Sequence, residues 1–315
     1  MNTGLLFRVI AANRVAKMMR PLPAGHRTVT TTLPKDIETS VQRALAEDLG
    51  DGDLTAGLID AGAQARGQVI SREPAVLCGS PWFDEVFRQL DQRIRIEWRA
   101  HDGVSISRDQ VLCRFQGPAR GLLSGERAAL NFLQTLSGTA TTARRYMDAI
   151  KGTHAIILDT RKTLPGLRSA QKYAVRCGGA SNHRMGLFDG ILIKENHIMA
   201  AGGITSAIAV ARRQNTNVAV EVEVENLEQL HEALAARADI LLLDNFDLHG
   251  LREAVRITAG RAKLEASGGM DLAQLRAVAE TGVDYISVGA LTKHLQAVDM
   301  SMRFEFEAEL AGKQR

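Results

Sequence analysis

From Ala155 onward, short apolar runs recur roughly every 20 to 30 residues, and each stops on polar residues or glycine. The runs are Ile156–Leu158, Ile191–Ile193, Val218–Val224, Ile240–Leu243, Ala262–Leu264 and Tyr285–Val288. They end in Asp159-Thr160-Arg161-Lys162, Lys194-Glu195-Asn196, Glu225-Asn226, Asp244-Asn245, Ser267-Gly268-Gly269 and Gly289. Helical spacing fills the intervals at Ile204–Gln214, Leu227–Ala236, Leu248–Ala259 and Leu272–Thr281. Continuous apolar runs alternating with helices predict parallel strands buried on both faces. An open doubly wound sheet competes with an α/β barrel here. The barrel is favoured because polar ends occur on every strand and not at one switch point.

The preceding part of the chain is organised differently. Strand-like runs cluster at Gly67–Arg72, Ala75–Cys78, Ile94–Trp98, Val104–Ile106 and Val111–Gln116, with helical stretches at Ile37–Asp48 and Pro81–Leu90. Such grouping predicts an α+β sandwich. Glu47, Asp48, Asp51 and Asp53 lack the alternation of a calcium loop and read as turn and cap residues. Leu122–Tyr146, with Ser124 as a possible cap, reads as a helix bridging the two regions. The expected division is a basic, flexible extension (1–34), a sandwich (35–127, joined by 295–315) and a TIM-like, possibly incomplete, α/β barrel (128–294).

Composition narrows the function. A net charge of +3 and 4% aromatic residues do not argue for nucleic-acid binding. Cys78, Cys113 and Cys177 form no CxxC pair, which suits a reducing, cytoplasmic setting. Residues 1–34 contain no Asp or Glu but four Arg and one Lys, which fits an organellar transit peptide or, more simply, a loosely ordered basic extension. No apolar run approaches the roughly 20 residues of a membrane span.

Charge is concentrated in Ile156–His197, where Arg161, Lys162, Arg168, Lys172, Arg176, His183, Arg184 and Lys194 face only Asp159, Asp189 and Glu195. Arg168, Lys172 and Arg176, spaced i, i+4, i+8, read as a solvated helix face. Arg161, Lys162 and Lys194 follow directly on strand cores, so they predict a highly anionic ligand at the rim. Glu221 and Glu223 lie two apart on one strand and project to one side, either into the interior or outward onto a helix. Ser267-Gly268-Gly269 and Val288-Gly289-Ala290 end successive final strands, where backbone amides cradle phosphate in barrels.

The segments TRKTLPGLR (Thr160–Arg168), NHR (Asn182–Arg184), LIKENHI (Leu192–Ile198), VEVEVEN (Val220–Asn226), LLDNF (Leu242–Phe246) and ISVGALTKH (Ile286–His294) closely resemble the quinolinate phosphoribosyltransferase family. GERAALNFLQTLSG (Gly125–Gly138) and EDLGDGDLT (Glu47–Thr55) extend the resemblance from about residue 35 to about residue 304. It implies phosphoribosyl transfer from 5-phosphoribosyl-1-diphosphate to quinolinate with decarboxylation, requiring Mg²⁺. It also implies a homodimer with shared active sites. Thr160, Arg161, Lys162, His183, Arg184 and Lys194 would then surround quinolinate, with Arg127 delivered from the partner subunit. Glu223 and Asp244 would face the ribose and Mg²⁺. Ser267, Gly268 and Gly269, with Val288, Gly289 and Ala290, would hold the 5′-phosphate. Lys162, Glu223 and Asp244 would be catalytic. Read from the residues alone, a Schiff-base barrel aldolase using Lys162 or Lys194, and a basic binding module, stand as rivals.

Overall fold

The computed structural model describes residues 32–214 and 217–306. The expected basic extension, apart from its last three residues, and residues 307–315 lie outside the described residues. The described chain divides into two compact units. One comprises residues 32–144, 163–179 and 294–306, the other residues 145–162 and 180–293. Residues 128–144 and 163–179, expected with the barrel, thus group with the sandwich.

The first unit opens with α1 (Ile37–Leu49) and contains β1 (Gln64–Ser71), β2 (Ala75–Val76), α2 (Ser80–Leu90), β3 (Arg95–Trp98), β4 (Ser105–Ile106) and β5 (Val111–Pro118). α3 (Ala119–Ala149) follows, a single helix whose last five residues belong to the other unit. Ser124 therefore sits inside a helix and caps nothing; its hydroxyl donates to Asp53 Oδ2 at 2.6 Å. Asp53 does act as a turn residue, since its Oδ1 accepts from the amides of Thr55 and Ala56.

β1 lies at the centre of an antiparallel sheet of order β12-β1-β5-β3, with β12 at Met300–Phe306. Alternation sets its faces: Phe115 is buried while its neighbours Arg114 and Gln116 are not. The Phe115 ring covers Gly67, where an added Cβ would lie 2.5 Å from it and 2.0 Å from the Arg303 carbonyl oxygen. The core of this unit gathers Val69, Trp82, Phe83, Phe87, Leu112 and Leu133.

The second unit is built on β6 (Ile156–Leu158), β7 (Ile191–Ile193), β8 (Val220–Val224), β9 (Ile240–Asp244), β10 (Lys263–Ser267) and β11 (Tyr285–Ser287). All of its ladders are parallel, in the order β6-β11-β10-β9-β8-β7. β6 and β7, consecutive in the chain, occupy opposite edges. Among the described residues no ladder joins them, so the strands form a parallel six-stranded sheet that is open there, without the closure of a barrel.

Every residue of β8 is buried, as a parallel strand covered on both faces requires. Side-chain caps start the helices that follow β8 and β9. Asn226 accepts from the Gln229 amide, and Asp247 from the Gly250 amide. The helix expected over Leu272–Thr281 is shorter, Leu275–Ala279, because Asp271 draws the Gln274 amide into a turn at 2.8 Å.

One charged segment differs from its sequence reading. Arg168, Lys172 and Arg176 lie on α4 (Arg168–Cys177) and are not a solvated face: Lys172 is fully buried and the two arginines are half-buried. The helix is enclosed on several sides. Tyr173 packs its ring against Trp82 at 5.4 Å, Gln171 accepts from the Leu164 amide, and Arg176 donates to the Thr32 carbonyl.

Candidate active site

The loop after β6 is tied down by one buried acid. Asp159 is fully buried, and its carboxylate accepts from Asn182 Nδ2 at 2.6 Å and from the His183 amide at 2.9 Å. These bonds fasten the Asn182-His183-Arg184 segment to the C-terminal end of β6, where Ser181 adds a parallel bridge to Leu158. Arg184 is buried and donates to the Gly190 carbonyl at 3.0 Å. Burial, followed by repulsion from Arg161, holds its guanidinium below the usual range, so these two cations feel each other. A pair of close cations is what a bound dianion would neutralise.

Other strand ends carry complementary groups. An added Cβ at Gly289 would lie 3.0 Å from Lys162 Cδ and 3.7 Å from Thr160 Oγ1, so the β11 end keeps a glycine where the Lys162 side chain passes. Thr292 Oγ1 fixes that loop by donating to the Lys162 carbonyl at 2.8 Å. Lys194, exposed at the end of β7, forms an ion pair with Glu223, which is 8% exposed at the end of β8. Asp244 ends β9 and accepts from Asn245 Nδ2 at 2.8 Å. Gly268 has φ +126°, and a Cβ there would stand 2.6 Å from Asn245 Oδ1. Only glycine suits that turn, and it leaves the backbone after β10 bare.

Beneath this rim, Glu221 and Glu223 are both buried, as is every residue of β8. Glu221 meets His183, with Nε2 to Oε2 at 3.2 Å, and Glu265 of β10 stands 3.5 Å from the same nitrogen. Burial, and then the Glu221 charge, push Glu265 up to about 8. Burial and the acids Asp284, Glu265 and Glu221 push Tyr285 up to about 12.

The second unit thus contains Thr160, Arg161, Lys162, His183, Arg184, Lys194, Glu223, Asp244, Ser267, Gly268, Gly269, Val288, Gly289 and Ala290, each at or just beyond a strand end except the 183–184 pair in the tied loop. Arg127 is exposed on α3 in the first unit. The residue reading passed over Asp159 as a site group and did not mark Glu265 at all. The signal for Glu265 is its place in KLEAS: an acid between two apolar residues in the middle of a strand has no water to face.

A parallel sheet that gathers cations, two acids and glycine turns at one end defines a site for a phosphorylated, highly anionic substrate. The model of the quinolinate phosphoribosyl transferase C-terminal domain matches residues 139–303, and that of the N-terminal domain residues 53–137. The probable nicotinate-nucleotide pyrophosphorylase (carboxylating) of Bacillus subtilis is 42% identical over 257 residues, covering 81% of this chain and 89% of that protein. The Mycobacterium leprae nicotinate-nucleotide pyrophosphorylase (carboxylating) is 43% identical over 272 residues, covering 84% and 95%. The solved structure of the nicotinate-nucleotide pyrophosphorylase from Francisella tularensis is similar at a TM-score of 0.85 and 47% identity, covering 87% of this chain and 98% of that one. The chain belongs to the quinolinate phosphoribosyl transferase family.

Proposed function

We propose that this protein transfers the phosphoribosyl group of 5-phosphoribosyl-1-diphosphate to the ring nitrogen of quinolinate. Loss of the 2-carboxylate then gives nicotinate mononucleotide, diphosphate and carbon dioxide, a step of NAD biosynthesis in the cytoplasm. The observation that carries the reading is the set of cations Arg161, Lys162, Arg184 and Lys194 around strand ends that also bear Glu223, Asp244 and two glycine turns. Arginine forks suit the two carboxylates of quinolinate, and lysine supplies a movable point charge. The Ser267–Gly269 and Val288–Ala290 turns offer backbone amides to the 5′-phosphate.

As the bond from ribose C1 to diphosphate lengthens, positive charge builds on the sugar. Glu223 and Asp244, from adjacent strands β8 and β9, are suited to offset it. No base is required, because the pyridine nitrogen attacks with its own lone pair. The resulting cationic ring accepts the electron pair left at C2 when carbon dioxide departs, and a proton then closes that position. Carboxylate oxygens on neighbouring strand ends are the hard donors that Mg²⁺ takes, so the donor set of Glu223 and Asp244 fits this ion. When bound, Mg²⁺ supplies charge neutralisation for the diphosphate. Arg127 serves the site of a partner subunit in a homodimer. The strand order supports an incomplete barrel, since β7 to β11 followed by β6 is a cyclic order interrupted once.

The aldolase rival falls with the family, since both matched domain models are those of quinolinate phosphoribosyl transferase. Diphosphate release with quinolinate, and much poorer turnover of nicotinate, is the expected result. One missing carboxylate removes charge-assisted hydrogen bonds from a site built for two. Comparable turnover of both acids would sink this reading.

A further inference from the structure

Two acids of the second unit stand outside the chemistry above. Glu221 and Glu265 are each 0% exposed, and among the described residues none of their carboxylate oxygens meets a donor at full hydrogen-bond geometry, although Ser287 stands near enough to Glu265 to lower its value. β9, which separates their strands, places only Ile240 opposite Glu221 and Leu242 opposite Glu265. The polar groups facing them come from elsewhere: His183 from its tied loop, Tyr285 and Ser287 from β11, and Arg184, whose charge acts on Glu221.

The imidazole decides what this cluster is. His183 Nδ1 accepts from the Arg184 amide at 2.7 Å, and a ring nitrogen that accepts carries no proton. A ring proton therefore sits on Nε2, aimed between the two acids. The three groups have the spacing of a metal site, their ligand atoms lying within 4.8 Å of one another. A metal would need the Nε2 lone pair, which this tautomer has given to hydrogen. One N–H also cannot satisfy two buried carboxylates, and two like charges in one dry pocket cannot both persist.

We propose that Glu265 is a positioning residue for His183. Held as the neutral acid, it donates to Glu221 and leaves the imidazole one defined acceptor, so the ring is fixed with Nε2–H toward the floor and Nδ1 on the Arg184 amide. Glu265 acts on substrate only through His183 and Arg184. Its kinetic consequence rests on the function proposed above; its consequence for stability does not.

The sign of that consequence follows from the raised value. The folded protein keeps a proton on Glu265 that the unfolded chain releases above the ordinary value of 4.5. The cost to stability is therefore absent at low pH, grows as pH rises from 4.5 to about 8, and is constant above that. Glu265→Gln keeps a donor and carries no charge, so it removes this cost.

The test compares melting temperatures of the full-length wild type and Glu265→Gln across that window. The variant's advantage should widen as pH rises and level off near pH 8. A constant or shrinking difference overturns the proposal. With quinolinate, the variant should keep kcat and KM within about threefold at neutral pH, and lack the alkaline decline expected of the wild type as Glu265 ionises. A neutral-pH loss as large as that of His183→Ala, or an unchanged alkaline limb, overturns it too. Should Glu265→Gln not fold, infrared spectra of the wild type decide. A protonated-carboxyl band that titrates away near pH 8 supports the assignment, and its absence rejects it. The thermal and infrared arms need no substrate, so they fail independently of the assigned reaction.

Discussion

Each unit of this protein holds a small cluster of polar groups largely withdrawn from water, and the two clusters are bonded in opposite ways. In the first unit Asp102 accepts from the amides of Gly79 and Ser80 at the start of α2 and from the Tyr173 hydroxyl at 2.9 Å. The neighbouring Cys78 thiol is pushed well above the usual range by burial and by Cys177, which makes it inert. In the second unit Glu221 and Glu265 have no such bonds. An acid whose oxygens are filled by a helix N-terminus is doing structural work. An acid left without donors costs stability, and a cost of that kind persists where a site needs it.

Variants that separate stability from turnover sharpen this contrast. The largest effect is expected at the rim of β8, where Glu223→Gln keeps size and removes charge. It should lower kcat by about 10²- to 10³-fold, the scale of one lost electrostatic stabiliser, with a smaller change in KM and an unaltered melting temperature. A rise in KM alone would reduce Glu223 to ground-state binding. Asp102→Ala is the converse, leaving two amides and a hydroxyl without their acceptor. Chemical denaturation should show a loss of about 2 to 3 kcal/mol, with turnover per folded molecule unchanged; a matching fall in kcat would break the division between the clusters. The smallest effect belongs to Tyr173→Phe, which deletes one hydrogen bond to Asp102 and keeps the ring against Trp82. About 1 kcal/mol of stability should go, measured the same way, and no loss would mean that the two amides alone satisfy Asp102.

Strands were legible where the chain obeys one rule at a time. Ile156–Leu158 and Ile191–Ile193 appear with the boundaries that their apolar runs indicate. β10 begins one residue later than its apolar run and continues to Ser267, because the pattern stops at Glu265 and a sequence does not reveal that His183 waits opposite. The same blindness affected Lys172: an i, i+4 ladder of cations looks solvated until the packing around Tyr173 and Gln171 is known. Apart from Arg127 and the 183–184 pair, the residues carried by the family resemblance stand at strand ends, since strand ends follow from hydrophobic runs. The floor depends on pairings between residues as far apart as His183 and Glu265, and local pattern has no access to those.

The strand orders also have a consequence for biosynthesis. β6 emerges from the ribosome with Leu158, yet β11, its laddered neighbour among the described residues, begins at Tyr285. β1, at residues 64–71, likewise waits for β12 at 300–306 to cover one of its edges. Both sheets of the nascent chain therefore present an unpaired edge until synthesis is nearly finished, when such edges recruit other chains most readily. A chain that terminates before Met300 would keep the rim residues intact and still lack the strand that closes β1. Its fate would be set by aggregation, and the catalytic groups, though all translated, would have no bearing on it.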